Sequence, residues 1–287
     1  MTHRLLLAAA LAALSAVAAP AQQGKPAPNA PATTDGKLAE WPALKDADKT
    51  KALALVEQFR KPETKLHEPA HKALVALGAG AAPLVMQQCA DKVDGINAQL
   101  FAVLDETLGR PHAALMARES KKPRTELRRY LVRRLCRMGD KDLATYFETM
   151  AKDPDPETAF CAQLGAYAQG KTGWLPAILE HCKTNWPTMG PVVAEAFAPA
   201  RSRELALPVF EAIAPKGAVE QMSGLRLLRH LMVKEQGVLL HRYLDAGEHT
   251  VKREAINAAR CLHGEAPIEN LSVFQAIEMA KQWRAKV

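Results

Sequence analysis

The sequence predicts an all-α fold, an α-solenoid of about seven two-helix repeats behind an N-terminal capping helix. Three observations carry that expectation. Aromatic residues are only 5% of the chain while Ala and Leu abound, and alternating β-branched runs are missing, which favours helices over strands. Glycines recur at near-constant spacing, with Gly78, Gly109, Gly139 and Gly170 lying 31, 30 and 31 residues apart. Gly264 follows 94 residues beyond Gly170, which leaves room for two less regular units. The columns around these glycines also agree. Eight residues before stand Ala70, Phe101, Leu131, Ala162 and Ile256; four after stand Ala82, Ala113, Leu143, Trp174 and Ile268; seven after stand Val85, Met116, Tyr146, Ala177 and Leu271. All are apolar in a chain that is 48% hydrophobic.

Taken in order, the chain opens with a short basic start from Met1 to Arg4, an apolar run from Leu5 to Ala19, and the small-residue triplet Ala19-Pro20-Ala21. That is the pattern of a secretory signal peptide over residues 1–21, with cleavage between Ala21 and Gln22. The run falls short of the roughly 20 residues a spanning helix needs. No cysteine precedes Cys89, so the lipid-attachment cysteine of a bacterial lipoprotein is missing. The expectation is an exported protein of a bacterial periplasm or exterior.

Residues 22–37 are Pro, Ala and polar with little to bury, and read as a disordered linker. Residues 38–287 are long enough for a continuous repeat core. The segment 46–61 places Ala52, Leu53, Leu55, Val56 and Phe59 on one helical face and caps the first repeat, because an array must shield its terminal apolar face. Each regular unit then reads as two helices of about 12 residues joined at a glycine that takes positive φ. The two less regular units turn near Ala200 and Lys234, in a region crowded by Pro191, Pro199 and Pro208.

The stretches DPDPETAFCAQLGAYAQGKTGWLPAILEHC (153–182) and HEPAHKALVALGAGAAPLVMQQC (67–89) resemble HEAT-type repeats. The closer resemblance is to the compact bacterial, PBS-lyase-type kind also seen in bilin lyases, over residues 67–280. It implies a protein-binding scaffold, with enzymatic activity in a minority of such arrays.

HEPAH, residues 67–71, spells the HExxH zinc-protease signature. Pro69 has no N–H and belongs in the first turn of a helix, which puts His67 at or before the helix start. The positions where a third ligand would fall, Leu74 and Leu77, are apolar, and no glutamate lies between His71 and Glu106. The motif therefore reads as a repeat boundary equivalent to Pro154-Asp155-Pro156-Glu157. No catalytic residue, metal or cofactor is assigned, and a zinc-dependent or lyase-type enzyme is the minor alternative. Asp153, Asp155 and Glu157 have calcium-loop spacing but lack the glycine and distal glutamate of an EF-hand. DGKLAEWP (35–42) resembles the opening of β-sandwich carbohydrate-binding modules, yet helices follow it. The five cysteines recur at matched phases and read as small core positions, the alternative being a Cys161–Cys182 disulfide.

The sharpest chemical feature is residues 118–141, with ten Lys or Arg against three Asp or Glu, a charge of +7 equal to that of the whole chain. Leu127, Tyr130, Leu131 and Leu135 form the buried stripe, and Arg129, Arg133 and Arg137 stand one turn apart on another face. Like charges at that spacing repel, so nothing within the helix explains them. The plain reading pairs them with acids of neighbouring repeats or leaves them solvated. The functional reading assigns Lys121, Lys122, Arg128, Arg129, Arg133 and Arg137 to a partner-binding site. On that reading the protein is a non-catalytic scaffold presenting a basic helix, 121–137, to a protein partner with an acidic surface. The alternative is an adhesion module for an anionic envelope polysaccharide or lipid; nothing reads nucleic-acid bases.

Overall fold

The computed structural model describes residues 38–91 and 95–287. The expected signal peptide, its Ala21–Gln22 junction and the linker lie outside the described residues. Among the described residues helix α1 (Asp46–Phe59) comes first, and seven helix pairs follow it. They are α2 (His67–Ala76) with α3 (Ala82–Gln87), α4 (Gly95–Thr107) with α5 (Ala113–Glu119), α6 (Thr125–Met138) with α7 (Ala144–Met150), and α8 (Pro156–Ala168) with α9 (Leu175–Thr184). Then come α10 (Trp186–Phe197) with α11 (Arg203–Ile213), α12 (Ala218–Leu231) with α13 (His241–Leu244), and α14 (His249–Leu262) with α15 (Val273–Arg284). The fold is an all-α solenoid of HEAT-like repeats behind a capping helix.

Burial follows the columns. Ten of the fifteen column residues are buried, and Phe101, Trp174, Ile268, Tyr146 and Ala177 are intermediate. A single apolar cluster runs from Ala52 in α1 to Trp283 in α15. In the cap, Ala52, Val56 and Phe59 are buried, but Leu53 is 40% exposed because it sits a step round the helix from that stripe. Second helices are shorter than expected, six residues in α3 and seven in α5 and α7, since a 3-10 turn precedes each.

Gly78, Gly139, Gly170 and Gly264 have φ of 70°, 59°, 88° and 80°. Gly109 departs from the expected positive φ, with φ −136°. The reason is local. Arg134 from α6 donates to the Leu108 and Asp105 carbonyls, satisfying the end of α4 that a left-handed glycine would otherwise close. Gly109 N–H then donates to His112 Nδ1 at 3.0 Å.

The first helices stack in a row, α2 on α4 and α6 on α8, with α12 on α14 further along. The fifth repeat breaks the row. α9 packs directly on α12, while α10 reaches past α8 to touch α6. In a regular array each repeat contacts only its neighbours, so this helix is displaced toward the earlier repeats. The proline-rich turn and Pro191 within α10, which gives up one helix hydrogen bond, lie where the sequence spacing became irregular.

Close packing of α11 on α12 rests on Gly224, where an added Cβ would come within 2.4 Å of Ile213 Cγ2. Gly224→Ala is expected to cost about 1–3 kcal/mol in urea unfolding despite alanine's better helix propensity. Gly247→Ala, which would meet nothing within 4 Å, should stay within about 0.5 kcal/mol. Equal midpoints for the two variants would refute this account of the α11–α12 contact.

Candidate binding cleft

Each arginine of α6 has an acidic partner on a neighbouring element or one turn away. Arg129 donates from Nε to Asp155 Oδ2 at 2.8 Å and from Nη1 to Glu126 at 3.0 Å, with Glu157 at 3.4 Å. Asp155 is also the N-cap of α8, accepting from Thr158 N–H at 2.9 Å and its hydroxyl at 2.7 Å. These donors hold the Asp155 carboxyl well below the usual carboxylate range, Arg129 first among them. Arg133 makes a two-pronged pair with Glu195 of α10, Nε to Oε2 at 2.8 Å and Nη2 to Oε1 at 2.7 Å. Arg134 pairs with Asp105, and Arg137 lies 3.2 Å from the same Asp105 oxygen. Arg128 Nε stands 3.1 Å from Asp153 Oδ2.

The charge of α6 is thus met within the fold. Five arginines face six carboxylates: Asp105, Glu126, Asp153, Asp155, Glu157 and Glu195. The acidic trio with calcium-like spacing serves these arginines. Of the two lysines in the expected site, Lys122 pairs with Glu119 and Lys121 is exposed.

Because α10 leans onto α6, a cleft of about 300 Å³ opens between α4, α6, α8 and α10. Phe101, Tyr130, Cys161, Met189 and Val192 give it apolar walls, and Glu126, Arg129, Arg133, Glu157 and Thr188 complete its lining. Phe101 and Tyr130 stack with ring centroids 4.2 Å apart and planes within 2°, and Tyr130 donates to Asp105 at 3.0 Å. Burial raises the Cys161 thiol to about 12, so it lines the cleft as a protonated, largely apolar group at neutral pH. Glu195 and Arg133 each favour the other's charged form. What the arrangement offers is shape, apolar surface and balanced charge. Arg129 and Arg133 were legible as candidates in the sequence. The other lining residues were not, although an aromatic at Phe101 in an otherwise aliphatic column was a local signal.

The HEPAH motif forms the start of α2, and its groups are engaged. His67 Nε2 donates to the Lys61 carbonyl at 3.0 Å, His71 Nε2 donates to Glu106 Oε1 at 2.7 Å, and Glu68 pairs with Lys72 at 3.0 Å. Among the described residues no group of three or more His, Cys, Asp and Glu is placed to hold a metal ion. All five cysteines are free, four of them buried. No helix among the described residues is long and apolar enough to cross a membrane.

A second arginine cluster lies between α12 and α14. Glu254, 1% exposed, meets Arg229, Arg226 and Arg253, and Arg229 is 3% exposed. The guanidinium carbons of Arg226 and Arg229 lie 5.4 and 5.8 Å from the ring centre of Trp186, the first residue of α10. Beside them, burial and then the Arg229 charge depress His230 from 6.5 to about 4.

No family model matches the chain, and no curated protein matches it. The structure of human deoxyhypusine hydroxylase in complex with glycerol is similar at 15% identity and a TM-score of 0.34, over 84% of this chain and 98% of that one. Two corrections follow. That protein is a hydroxylase, and the expectation of a non-catalytic chain is corrected against it; a likeness at this TM-score assigns no activity to this chain. The scaffold expectation is corrected likewise, and the arginines on which it rested hold acids of other repeats of the same chain.

His230 and Asp155 contribute two stages to an acid-stability profile. His230 titrates lower folded than unfolded, so the unfolded chain alone takes up that proton between pH 6.5 and about 4, and stability falls as pH drops through that window. Asp155 contributes fully above 3.8 and its contribution is lost as pH falls below that value. Urea midpoints taken at intervals from pH 8 to 3 should show both stages, with His230→Gln flattening the first and Asp155→Asn the second. A wild-type midpoint unchanged down to pH 4 would contradict the His230 assignment.

Proposed function

We propose that the cleft between α4, α6, α8 and α10 is a ligand site, and that the protein binds there a small amphipathic molecule. The observation that carries this reading is the pairing of apolar walls with arginines whose charge is already balanced. A concave, mostly apolar space with a few convergent polar groups is the usual form of a small-molecule site, and about 300 Å³ sits at the small end of that range. Arg133 spends Nε and Nη2 on Glu195, which leaves the Nη1 hydrogens for an acceptor on the ligand. With five arginines set against six carboxylates, a highly charged ligand gains little, whereas a near-neutral one gains apolar burial and one directed hydrogen bond.

The test is saturation-transfer NMR with a panel of ring-bearing fragments, with and without a carboxylate or carbonyl. Ring-plus-acceptor fragments should show contact with wild-type protein and lose it in Val192→Trp, which fills the cleft. If no fragment binds, or if binding survives Val192→Trp, the reading fails.

We infer also that the chain is an exported member of the PBS-lyase-type HEAT repeats. The 30- and 31-residue glycine spacing supports the repeat class, and the basic start, apolar run and Ala19-Pro20-Ala21 triplet support export. Intact mass of the protein recovered from the envelope fraction should correspond to a chain starting at Gln22. Recovery only from the cytoplasm with Met1 retained would reject export.

A further inference from the structure

The cleft does not end at Met189. A second hollow of about 260 Å³ lies along α8 and α10, lined by Pro156, Phe160, His181 and Asn185 together with Glu157, Thr188 and Met189. The last three also line the first cleft, so the two spaces adjoin across one ridge. Neither shares a lining residue with the cavity beside Gly139 and Gly165 or with the groove at His67 and His71. The combined site is therefore set apart from those cavities, at a size suited to a free small molecule.

Each end carries a pair of rings, and the ridge between them is polar. One end has the Phe101–Tyr130 stack with Val192, and the other has Phe160 against the His181 ring, centroids 4.9 Å apart. On the ridge stand the Thr188 hydroxyl and the Glu157 carboxylate, the latter's side chain 56% exposed. Met189 is the one apolar ridge residue, and its unbranched, flexible side chain can adapt to what crosses it.

Resting on the cleft reading above, we propose that the occupant is a two-headed small molecule. It carries an apolar group at each end and a short hydrogen-bonding linker lying over Glu157 and Thr188. Each head fills one hollow, and the linker meets donors and acceptors that a purely aliphatic chain would leave unused.

The experiment compares N-acetyl-phenylalanine, with one head, and Phe-Gly-Phe, with two, by isothermal titration against the full chain and three variants. Phe-Gly-Phe is expected to bind at least tenfold tighter than N-acetyl-phenylalanine. Asn185→Trp, an exposed position that fills the second hollow, should remove that advantage and leave the one-headed ligand unaffected; His181→Ala, which trims the hollow, should reduce it. Val192→Trp should abolish both, with helical content checked by circular dichroism. Equal affinities in wild type, or an advantage that survives Asn185→Trp, overturn the two-headed proposal while one-headed binding lost in Val192→Trp keeps the cleft reading. If neither ligand binds, both readings fall. Tighter binding of the same sequence flanked by glycines would make the occupant a segment of another chain and overturn the small-molecule assignment.

Discussion

The pair between Arg133 and Glu195 spans two repeats, and the arrangement of the solenoid's middle depends on it. A repeat array needs only nearest-neighbour contacts, and its energy is close to a sum of such terms. α10 breaks that economy by crossing α8 to meet α6. Two directed hydrogen bonds between charged groups fix its register against α6 in a way apolar packing alone does not, because removing one partner strands the other in a half-buried site. Arg129 with Asp155 does the same between adjacent repeats, and Arg134 closes the end of α4. Helix α6 is a clamp whose arginines hold acids of their own protein.

That clamp accounts for the chain's charge distribution. Residues 118–141 carry a local +7 that would spread the helices apart if left bare. Asp105 of α4, Asp153 and Asp155 before α8, Glu157 of α8 and Glu195 of α10 offset most of it, so the excess positive charge of the whole chain is no longer concentrated on α6. The cleft that results is apolar with balanced charge at its lining, which suits a small amphipathic ligand better than a polyanion.

How far the sequence could be read depended on whether a signal was local. Repeat number, the turn glycines and the buried columns recur every 30 or 31 residues, and a periodic signal survives without knowledge of tertiary contacts. Gly109 was misread because what ends α4 is Arg134, 25 residues further on. The arginines were visible, but their partners were not: Glu195 is 62 positions from Arg133, and no spacing rule links them. The cleft was hidden for the same reason, since its lining comes from four helices and exists only because α10 leaves the row. The crowding of Pro191, Pro199 and Pro208 marked the irregularity without giving its direction.

The second arginine cluster explains why α10 stays displaced. Its first residue, Trp186, lies against the guanidinium groups of Arg226 and Arg229, which surround the buried Glu254 on α14. Its later turns carry Glu195 to Arg133. Held at one end by cation–π contact with α12 and at the other by an ion pair with α6, α10 acts as a strut between the two halves of the array. A strut fixed at both ends keeps Thr188, Met189 and Val192 in place between the anchors. The cleft wall is therefore formed before any ligand arrives, and binding need not bear the entropy of ordering that helix.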